Sequence, residues 1–470
     1  MSMVVQHNMQ AANANRMLGI TSGAQAKSTE KLSSGYKINR AADDAAGLTI
    51  SEKMRKQIRG LDKASSNAQD GVSSVQTAEG ALTEVHSMLQ RMNELAVQSS
   101  NGTNSSDDRQ AIQDEVDQLT TEIDRVAETT KFNEIYLLKG DNSNTKNVYM
   151  KGHDAGLKGT LTDGAKSATF TMDALQAGDK YTIAGKEYTI GFATTEVTAL
   201  IDKANTDATA DTANKTVDVN GKTYTITYNA AGNTIADADG TAITLDDLKK
   251  AVTGGSKVTY GNTSLTAMTD ADTDGVDDDD SSIITKDVAE TKIKAELLTA
   301  NNIGTVDQAA TVEDANTANG KTSYTINKGY ATVADTLSFN LHVGADADMT
   351  NKITVDIDTM NSANLGIKGI NVKDASGTEA TYAIDAIADA VAKVSSQRSA
   401  LGAVQNRLEH TIDNLDNISE NTSSAESRIR DTDMAKEMVN YSKNNILAQA
   451  GQSMLAQANQ SNQGVLSLLQ

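Results

Sequence analysis

A seven-residue hydrophobic repeat runs without interruption through residues 61–96 of this chain. Its apolar or small members alternate three and four positions apart, at Leu61, Ala64, Ala68, Gly71, Val75, Ala78, Leu82, Val85, Leu89, Met92 and Ala96. This spacing is typical of a coiled-coil seam and predicts one long helix, which spans about 53 Å at about 1.5 Å per residue. The breaker-rich run at 99–104 predicts its end.

Two further stretches have helical spacing. Residues 112–126 place Ile112, Val116, Leu119, Ile123 and Val126 on one face. A second seven-residue seam comprises Ile387, Val394, Leu401, Val404, Leu408, Leu415, Ile418, Ala425 and Ile429, with Thr411 and Thr422 as polar members. Seams of similar length favour one bundle formed within the chain, although two separate coiled-coil dimers are the alternative.

The middle of the chain, 141–336, changes to a period of two. Three similar units at 184–190, 220–226 and 319–326 begin with Ala-Gly or Asn-Gly and continue with alternating Tyr, Thr and Ile, which predicts hairpins. A further hairpin is predicted from 337–343 to 353–357. The expected fold is mainly α with a β-rich insertion, in which N- and C-terminal helices pair in a coiled-coil or helical-bundle core. Whether the insertion forms one β domain or two stays open.

The outermost segments, Met1–Gly35 and Met434–Gln470, are rich in Ala, Gln, Asn and Ser and sparse in apolar residues. Helices of this kind are too weakly apolar to stay folded alone, so we expect them to be disordered in the monomer and to order when many copies bury them. The predicted domain bounds are 1–45 and 431–470 for a terminal coiled-coil domain, 46–140 and 337–430 for a helical core, and 141–336 for a variable, surface-exposed β-rich domain.

Composition narrows the possible functions. The 470 residues include no Cys, Pro or Trp, and the absence of proline removes slow X-Pro isomerisation, as suits a chain that travels unfolded and refolds quickly. A net charge of −21 argues against a nucleic-acid partner. No apolar run approaches the roughly 18 residues of a membrane span. Met1–Gln10 does not resemble a signal peptide, so the chain is expected in the cytosol or to leave by another route.

Candidate chemistry is sparse, and we expect no enzymatic activity and no cofactor. The five histidines form no His-Glu-x-x-His pair. Asp270, Asp272 and Asp274, followed by Gly275, copy the first half of a calcium loop, but Ser281 stands where a bidentate Glu is needed. A solvated acidic loop is therefore favoured over a calcium site.

Several motifs in the two ends resemble those of one known family. They are Leu32-Ser-Ser-Gly-Tyr-Lys-Ile38-Asn39 with Ala42-Asp-Asp-Ala-Ala-Gly-Leu-Thr-Ile50, then Ser399-Ala-Leu-Gly-Ala-Val-Gln-Asn-Arg-Leu-Glu-His410, and Leu455-Ala-Gln-Ala-Asn-Gln460 before Val465-Leu466-Ser467-Leu468-Leu469. In this order they resemble the bacterial flagellins. The resemblance covers about 1–140 and 337–470 and implies a subunit that polymerises into the flagellar filament for swimming.

The resemblance also implies partners and a location. Such a subunit is exported unfolded by the flagellar type III apparatus with an export chaperone, refolds beneath the filament cap next to the junction proteins, and is extracellular. The contacts that join copies are expected at Leu32, Ile38, Leu455, Val465, Leu466, Leu468 and Leu469. A hook–filament junction protein or a flagellin-like adhesin is the alternative.

A host receptor is a further implied partner. Arg91, Leu95 and Glu115 match positions through which flagellins engage the flagellin-sensing Toll-like receptor, and Glu94 and Gln98 lie beside them. Arg91, Glu94, Leu95 and Gln98 lie outside the predicted seam, so we expect Leu95 to be an exposed leucine on the polar side of the helix. We expect these residues and Glu115 to serve contacts between subunits first, with the receptor using the same surface.

Overall fold

A computed structural model describes the backbone of residues 8–270 and 273–467 and the side chains of 8–270 and 273–460. The helices, in chain order, are α1 (Met9–Ser34), α2 (Ala45–Ser100), α3 (Ser106–Thr129), α4 (Thr194–Asp211), α5 (Leu245–Lys250), α6 (Lys286–Asn301), α7 (Ser362–Leu365), α8 (Thr378–Arg430) and α9 (Met434–Ser467). The predicted fold class is confirmed, since helices at both ends flank a β-rich middle.

The strands all lie between α3 and α8. They are β1 (Lys131–Phe132), β2 (Ile135–Tyr136), β3 (Asp141–Tyr149), β4 (Thr160–Asp163), β5 (Ser167–Asp173), β6 (Lys180–Ile183), β7 (Lys186–Ile190), β8 (Lys215–Val219), β9 (Lys222–Thr227), β10 (Thr234–Asp237), β11 (Ala242–Ile243), β12 (Lys257–Tyr260), β13 (Thr263–Thr266), β14 (Ile283–Ile284), β15 (Thr311–Val312), β16 (Asn316–Ala318), β17 (Lys321–Asn327), β18 (Tyr330–Asp335), β19 (Leu337–His342) and β20 (Lys352–Ile357).

The chain divides into two compact units. The terminal unit comprises Met1–Gln76, Phe339–Val355 and Gly402–Gln470, and the central unit comprises Thr77–Ser338 and Asp356–Leu401. The predicted seam of α2 is confirmed residue by residue, because every member from Leu61 to Ala96 is buried. The predicted end is also confirmed, since α2 stops at Ser100.

In the terminal unit, α2 and α8 run antiparallel and pack through their seams. Side-chain bonds follow the contact from Ser51–Glu426 (2.7 Å) through Asp62–Ser419 (2.8 Å) to Ser65–Asp416 (2.9 Å). Ala68 and Leu408 form a small core with two residues of the β19–β20 hairpin, Val343 and Ile353. Ile418, expected in the seam, is instead 37% exposed and borders an open groove beside the hairpin turn.

Glycine lets the hairpin approach α2 closely. A Cβ atom on Gly71 would lie 2.2 Å from Leu341 Cδ1, and one on Gly60 would lie 2.9 Å from Ala345 Cβ. The Asn67 side chain donates to the His342 carbonyl (3.0 Å) and so ties strand to helix. The predicted hairpin from 337 to 357 is confirmed by the pairing of β19 with β20.

In the central unit, α3 continues the helical core and the N-terminal half of α8 is buried through Ile387, Ala390 and Val394. Ser105 caps α3 in a reciprocal bond with Asp108. The predicted apolar face of α3 is largely confirmed: Ile112, Val116 and Ile123 are buried, whereas Leu119 and Val126 are half-buried.

The insertion has two large hydrophobic cores and a smaller one of Met150, Ala331 and Val333, all within the one central unit, so the number of β domains stays a question. The first lies among β5, β6, β7, β17 and α6 and contains Phe170, Ile190, Leu297 and Tyr324. The second lies between α4 and a six-stranded sheet of order β11-β10-β9-β8-β12-β13. The long helices α4 and α6 were not predicted, although Val197, Leu200, Ile201, Ala204 and Ala208 have helical spacing.

The three repeated units form the hairpins that the sequence predicted. Their turns join β6 to β7, β8 to β9 and β16 to β17. At each turn both central residues have positive φ, at 49° and 76° for Ala184-Gly185, 54° and 78° for Asn220-Gly221, and 52° and 73° for Asn319-Gly320. This geometry is that of the two-residue turn whose twist matches paired strands.

Candidate assembly and recognition surfaces

The terminal helices α1 and α9 pack against each other and bury very little. Within the described side chains of α1, Ser28 is the one buried residue. Large apolar side chains lie open to solvent on both helices, with exposures of 57% for Met17 and 66% for Ile446. Others of this kind are Met9, Ile20, Met434, Met438, Val439, Leu447 and Met454. On α9, four of these side chains, at 438, 439, 446 and 447, line one shallow groove.

Polar and backbone contacts join the C-terminal end of α1 to the N-terminal end of α9. Gly35 ends α1 in the left-handed conformation, and its N–H donates to the Lys31 carbonyl (2.9 Å). Lys37 N–H donates to the Arg430 carbonyl (2.7 Å), and Thr432 N–H donates to the Gly35 carbonyl (2.9 Å). The segment after α1 is therefore bonded directly to the joint between α8 and α9.

Arg430 links three elements at that joint. Its guanidinium lies 4.8 Å from the centre of the Tyr36 ring and pairs with Glu52 Oε1 of α2 at 2.6 Å. The hydrogen bond from Arg430 lowers the pKa of Glu52 below its ordinary value. Lys27 of α1 pairs with Asp43 (2.8 Å), and this bond is the main cause that lowers the pKa of Asp43 to about 2.

The predicted assembly residues divide into three groups. Leu32 and Leu455 are half-buried on α1 and α9. Ile38 is 2% exposed and packs against the start of α2, since a Cβ on Gly47 would lie 2.8 Å from its Cδ1. Its side chain is therefore covered within the subunit, and its part in contacts between copies stays a prediction. The side chains of Val465 and Leu466, and the whole of Leu468 and Leu469, lie outside the described residues.

A charged cluster covers α2 and α3 in the central unit. Arg91 Nε donates to Glu115 Oε1 of α3 (2.8 Å), and Arg91 Nη1 donates to Glu94 Oε2 (3.2 Å). These bonds, chiefly the one that Arg91 donates to Glu115, raise the pKa of Arg91. Gln98 is exposed one turn beyond Glu94. Four of the five residues predicted for recognition therefore lie on one accessible surface.

Leu95 is the exception, and the prediction that it is exposed is wrong. Its side chain is 2% exposed. The approach of α3, seen in the Arg91–Glu115 pair, covers a wider stripe of α2 than a seam between two helices would. Leu95 therefore belongs to the core that supports the charged cluster.

Three polar residues of α3 that the sequence did not reveal hold the 362–375 segment. Buried Arg109 donates to the carbonyls of Ser99 (3.2 Å), Asn101 (3.4 Å) and Ala375 (2.6 Å), and so satisfies groups at the end of α2. Gln113 accepts from Val372 N–H (2.7 Å) and donates to the Ile370 carbonyl (2.9 Å). Asp124 accepts from Ser362 N–H (2.7 Å). These residues do not belong to a periodic sequence pattern, because each forms hydrogen bonds with backbone groups outside regular helices and strands.

The acidic loop uses its carboxylates locally. Asp270 Oδ2 accepts from Gly275 N–H (3.0 Å), and Asp274 Oδ1 accepts from Val276 N–H (2.8 Å), while Asp272 lies outside the described residues. Within the described residues no three His, Cys, Asp or Glu side chains are arranged to hold a metal ion. None of the described helices combines the length and apolar character that crossing a bilayer requires.

Comparison with known proteins gives consistent matches at both ends. Residues 5–143 match the bacterial flagellin N-terminal helical region, and residues 384–469 match the bacterial flagellin C-terminal helical region. A flagellin of Clostridium tyrobutyricum is 40% identical over 98% of this chain and 100% of its own length. Flagellins of Halalkalibacterium halodurans and Salmonella rubislaw are each 35% identical, over 99% and 100% of this chain and all of their own.

Proposed function

Because the chain belongs to the bacterial flagellin family, and is thus a structural subunit of the extracellular flagellar filament, we propose that its α1–α9 pair is completed only on assembly. In this proposal α1 and α9 are disordered or loosely paired in the monomer and become ordered when neighbouring copies cover them. The proposed division of the chain is the one that the sequence predicts, with 1–45 and 431–470 innermost, 46–140 and 337–430 around them, and 141–336 outermost.

One observation supports this proposal above all: most of the large apolar side chains described on α1 and α9 are exposed. Ile446 and Val439 are 66% and 68% exposed. Burying such a side chain fully stabilises a structure by about 1.5–3 kcal/mol. An array of copies gains this amount many times over, whereas a monomer gains almost none of it. The helices are also too poor in apolar residues to be stable alone.

The test is polymerisation of purified protein, seeded with sheared filaments or started with a precipitating salt, followed by light scattering and imaged by electron microscopy. Full-length chain is expected to form long filaments, and a truncation lacking 1–35 and 434–470 to form none. Replacing Met438, Ile446 and Met454 with serine is expected to raise the critical concentration strongly. Met349→Ser is the matched control, because Met349 is 72% exposed but lies in the hairpin turn.

A failure of the full-length chain to polymerise would contradict the proposal. It would favour a role as a junction protein or a cell-surface adhesin, since neither needs to form long polymers alone. The match to flagellins covers nearly all of this chain and the whole of each relative, which favours the filament subunit over these alternatives.

The export route is a second part of the proposal. The chain leaves the cell unfolded through the flagellar type III apparatus, with an export chaperone, and refolds beneath the filament cap beyond the junction proteins. The absence of proline and cysteine supports it, because neither slow isomerisation nor disulfide formation delays refolding. We expect secretion to stop in cells without the export apparatus and to continue in cells without the general secretory signal peptidase. Secretion that persists without the export apparatus would contradict this route.

Recognition by the host flagellin-sensing Toll-like receptor is the third part. The accessible cluster of Arg91, Glu94, Gln98 and Glu115 supports it, and buried Leu95 is left out as a direct contact. We expect Arg91→Ala to weaken binding to the receptor ectodomain at least about tenfold, since a charged contact at an interface is worth about 1.5 kcal/mol or more. The control is Arg125→Ala, which removes an exposed arginine of α3 that lies outside this cluster. Equal losses in both variants would contradict a specific role for this surface.

A further inference from the structure

The outward faces of α2 and α8 in the terminal unit carry opposite charge. On α2, Lys56, Arg59 and Lys63 are exposed and lie on the side of the helix away from the buried residues Leu61 and Ala64. On α8, Glu409, Asp413 and Glu420 are exposed and lie away from the buried residues Leu408 and Leu415. We call these two surfaces the basic face and the acidic face.

The two faces point away from each other because α2 and α8 pack through their seams, which lie on the opposite sides of the two helices from these faces. The bonds Asp62–Ser419 and Ser65–Asp416 place the two helices side by side at this level. A residue at the back of α2 therefore lies across the pair from a residue at the back of α8. The charges cannot neutralise one another within one subunit.

The charges on these faces are also largely unused by the subunit. Among the described ion pairs none includes Lys56, Lys63, Asp413 or Glu420. Arg59 Nε donates to the Arg55 carbonyl (3.4 Å), and Glu409 Oε1 accepts from Gln405 Nε2 (2.9 Å). In each of these bonds the partner is an uncharged group on the same helix, so neither charge is neutralised. Arg59 interacts at longer range with Glu52, but that carboxylate is bonded to Arg430. In a chain of net charge −21, an exposed cluster of three cations that forms none of the described ion pairs is a distinct surface.

We propose that the basic face of one copy binds the acidic face of the next copy, head to tail, along the filament. The proposal rests on the filament function proposed above and names a contact through which neighbouring helical cores meet. A two-fold contact would set like charges together, whereas a head-to-tail contact joins different surfaces and repeats without closing. At about 1.5 Å per residue the basic cluster is about 10 Å long and the acidic cluster about 17 Å, so the acidic face is long enough to cover the whole basic face.

The register sets the geometry of this contact. The bonds Ser65–Asp416 and Asp62–Ser419 place the centre of the acidic face, near residue 414, level with about residue 67 of α2, whereas the centre of the basic face is near residue 59. Neighbouring copies are therefore displaced along the helix axis by roughly 12 Å when the charges meet. Charges at this interface also steer the approach of a copy, an effect that falls as salt shortens the Debye length from about 8 Å at about 0.15 M to about 3 Å at about 1 M.

Charge reversal tests the proposal in the full-length chain. The basic-face variant is Lys56→Glu, Arg59→Glu and Lys63→Glu, and the acidic-face variant is Glu409→Lys, Asp413→Lys and Glu420→Lys. Each is expected to raise the critical concentration at least about tenfold in about 0.15 M NaCl, because like charges then oppose each other. The matched control for the basic-face variant is Lys158→Glu, Lys203→Glu and Lys250→Glu, which makes the same change in net charge at exposed positions of the insertion.

Recombining the faces makes the test decisive. A chain that carries all six substitutions has both charges exchanged, so it is expected to polymerise alone nearly as well as the parent. An equimolar mixture of the two three-fold variants is expected to co-assemble, although neither assembles alone, because each supplies the face that the other lacks. Pelleting without seeds, with polyethylene glycol as crowding agent, measures all of these. Thermal unfolding followed by circular dichroism shows that each variant is folded.

The outcomes separate this contact from the filament proposal itself. If the parent polymerises and both three-fold variants match it, the charged contact is overturned while the filament function stands. The contact is equally overturned if the six-fold variant and the mixture are as impaired as the three-fold variants. If the parent does not polymerise, the filament function fails first.

Discussion

Two helix pairs in this chain are built from similar small and polar residues but differ in how much they bury. The α2 seam from Leu61 to Ala96 is buried at every position, and its partners are other parts of the same subunit. The α1–α9 pair leaves Met17, Ile20, Val439 and Ile446 mostly exposed. The first pair has the packing of a finished core, and the second has the packing of half an interface. On the proposed function, this contrast separates the contacts that form when the subunit folds from those that form on assembly.

The largest expected effect on stability is in the α2 seam, which is buried within the subunit. Leu89→Ala removes a side chain with no exposed surface and is expected to lower the free energy of unfolding by about 3 kcal/mol. Ile446→Ala, at an exposed position, is expected to change it by less than about 0.5 kcal/mol. Chemical denaturation of the monomer, followed by circular dichroism, measures both. Similar losses in the two variants would erase the contrast.

The end of α2 supplies the next largest effect. Arg109→Ala removes the donors that satisfy the carbonyls of Ser99, Asn101 and Ala375, and it is expected to cost about 2 kcal/mol of stability. Arg109→Lys keeps the charge but cannot reach three carbonyls at once, so it should recover only part of the loss. A full recovery by lysine would mean that the charge, rather than the fork of donors, holds the segment. The same denaturation experiment distinguishes these results.

Two glycines sharpen the comparison further. Gly71→Ala places a methyl group 2.2 Å from Leu341 Cδ1, so the hairpin has to shift, and we expect a loss of about 1 kcal/mol. Gly451→Ala adds a methyl group at an ordinary 3.4 Å from Leu18 Cδ1 and removes a poor helix former from α9. It is expected to increase the stability of α9 by up to about 1 kcal/mol. Melting curves of the two variants should therefore move in opposite directions, and a shared direction would contradict this account.

The smallest expected effect is the pH dependence of amide exchange at the C-terminal end of α1. The bond with Lys27 lowers the pKa of Asp43 to about 2, so this ion pair contributes fully above the ordinary carboxyl pKa near 4 and is lost as pH falls towards 2. Amide exchange in the last turns of α1 is expected to quicken over that range. Asp43→Asn, which removes the titrating group, should exchange faster at neutral pH and respond less to acid. An unchanged pH response in this variant would assign the effect to other carboxyls.

The sequence predicted the long helices and the hairpins well for the same physical reason. An unbroken three-four alternation or an Asn-Gly pair before alternating strand residues leaves few competing structures. Prediction was weaker where a third element adds cover. Leu95 was expected to be exposed because it lies outside the seam of α2, yet its side chain is 2% exposed where α3 approaches α2.

The insertion and the polar ties were harder to predict. The helix α4 has the apolar spacing of a helix, but a background rich in Thr, Ala and Asp masks the pattern. Arg109, Gln113 and Asp124 bond irregular backbone more than 230 residues away in the chain, as in the bonds of Gln113 to Ile370 and Asp124 to Ser362. Such contacts depend on the finished fold and leave no periodic mark on the sequence.

The pairing of α1 with α9 has a consequence for quality control. The first helix of the chain finds its partner in the last one, as in the bond from the Asn8 side chain to the Ala458 carbonyl (3.1 Å). A polypeptide cut short by an early stop or a protease keeps α1 but has no α9 to set against it. Its surface for joining a growing polymer is then incomplete. On the proposed function, such a chain is expected to be left out of the polymer, so that assembly selects the subunits that carry both helices.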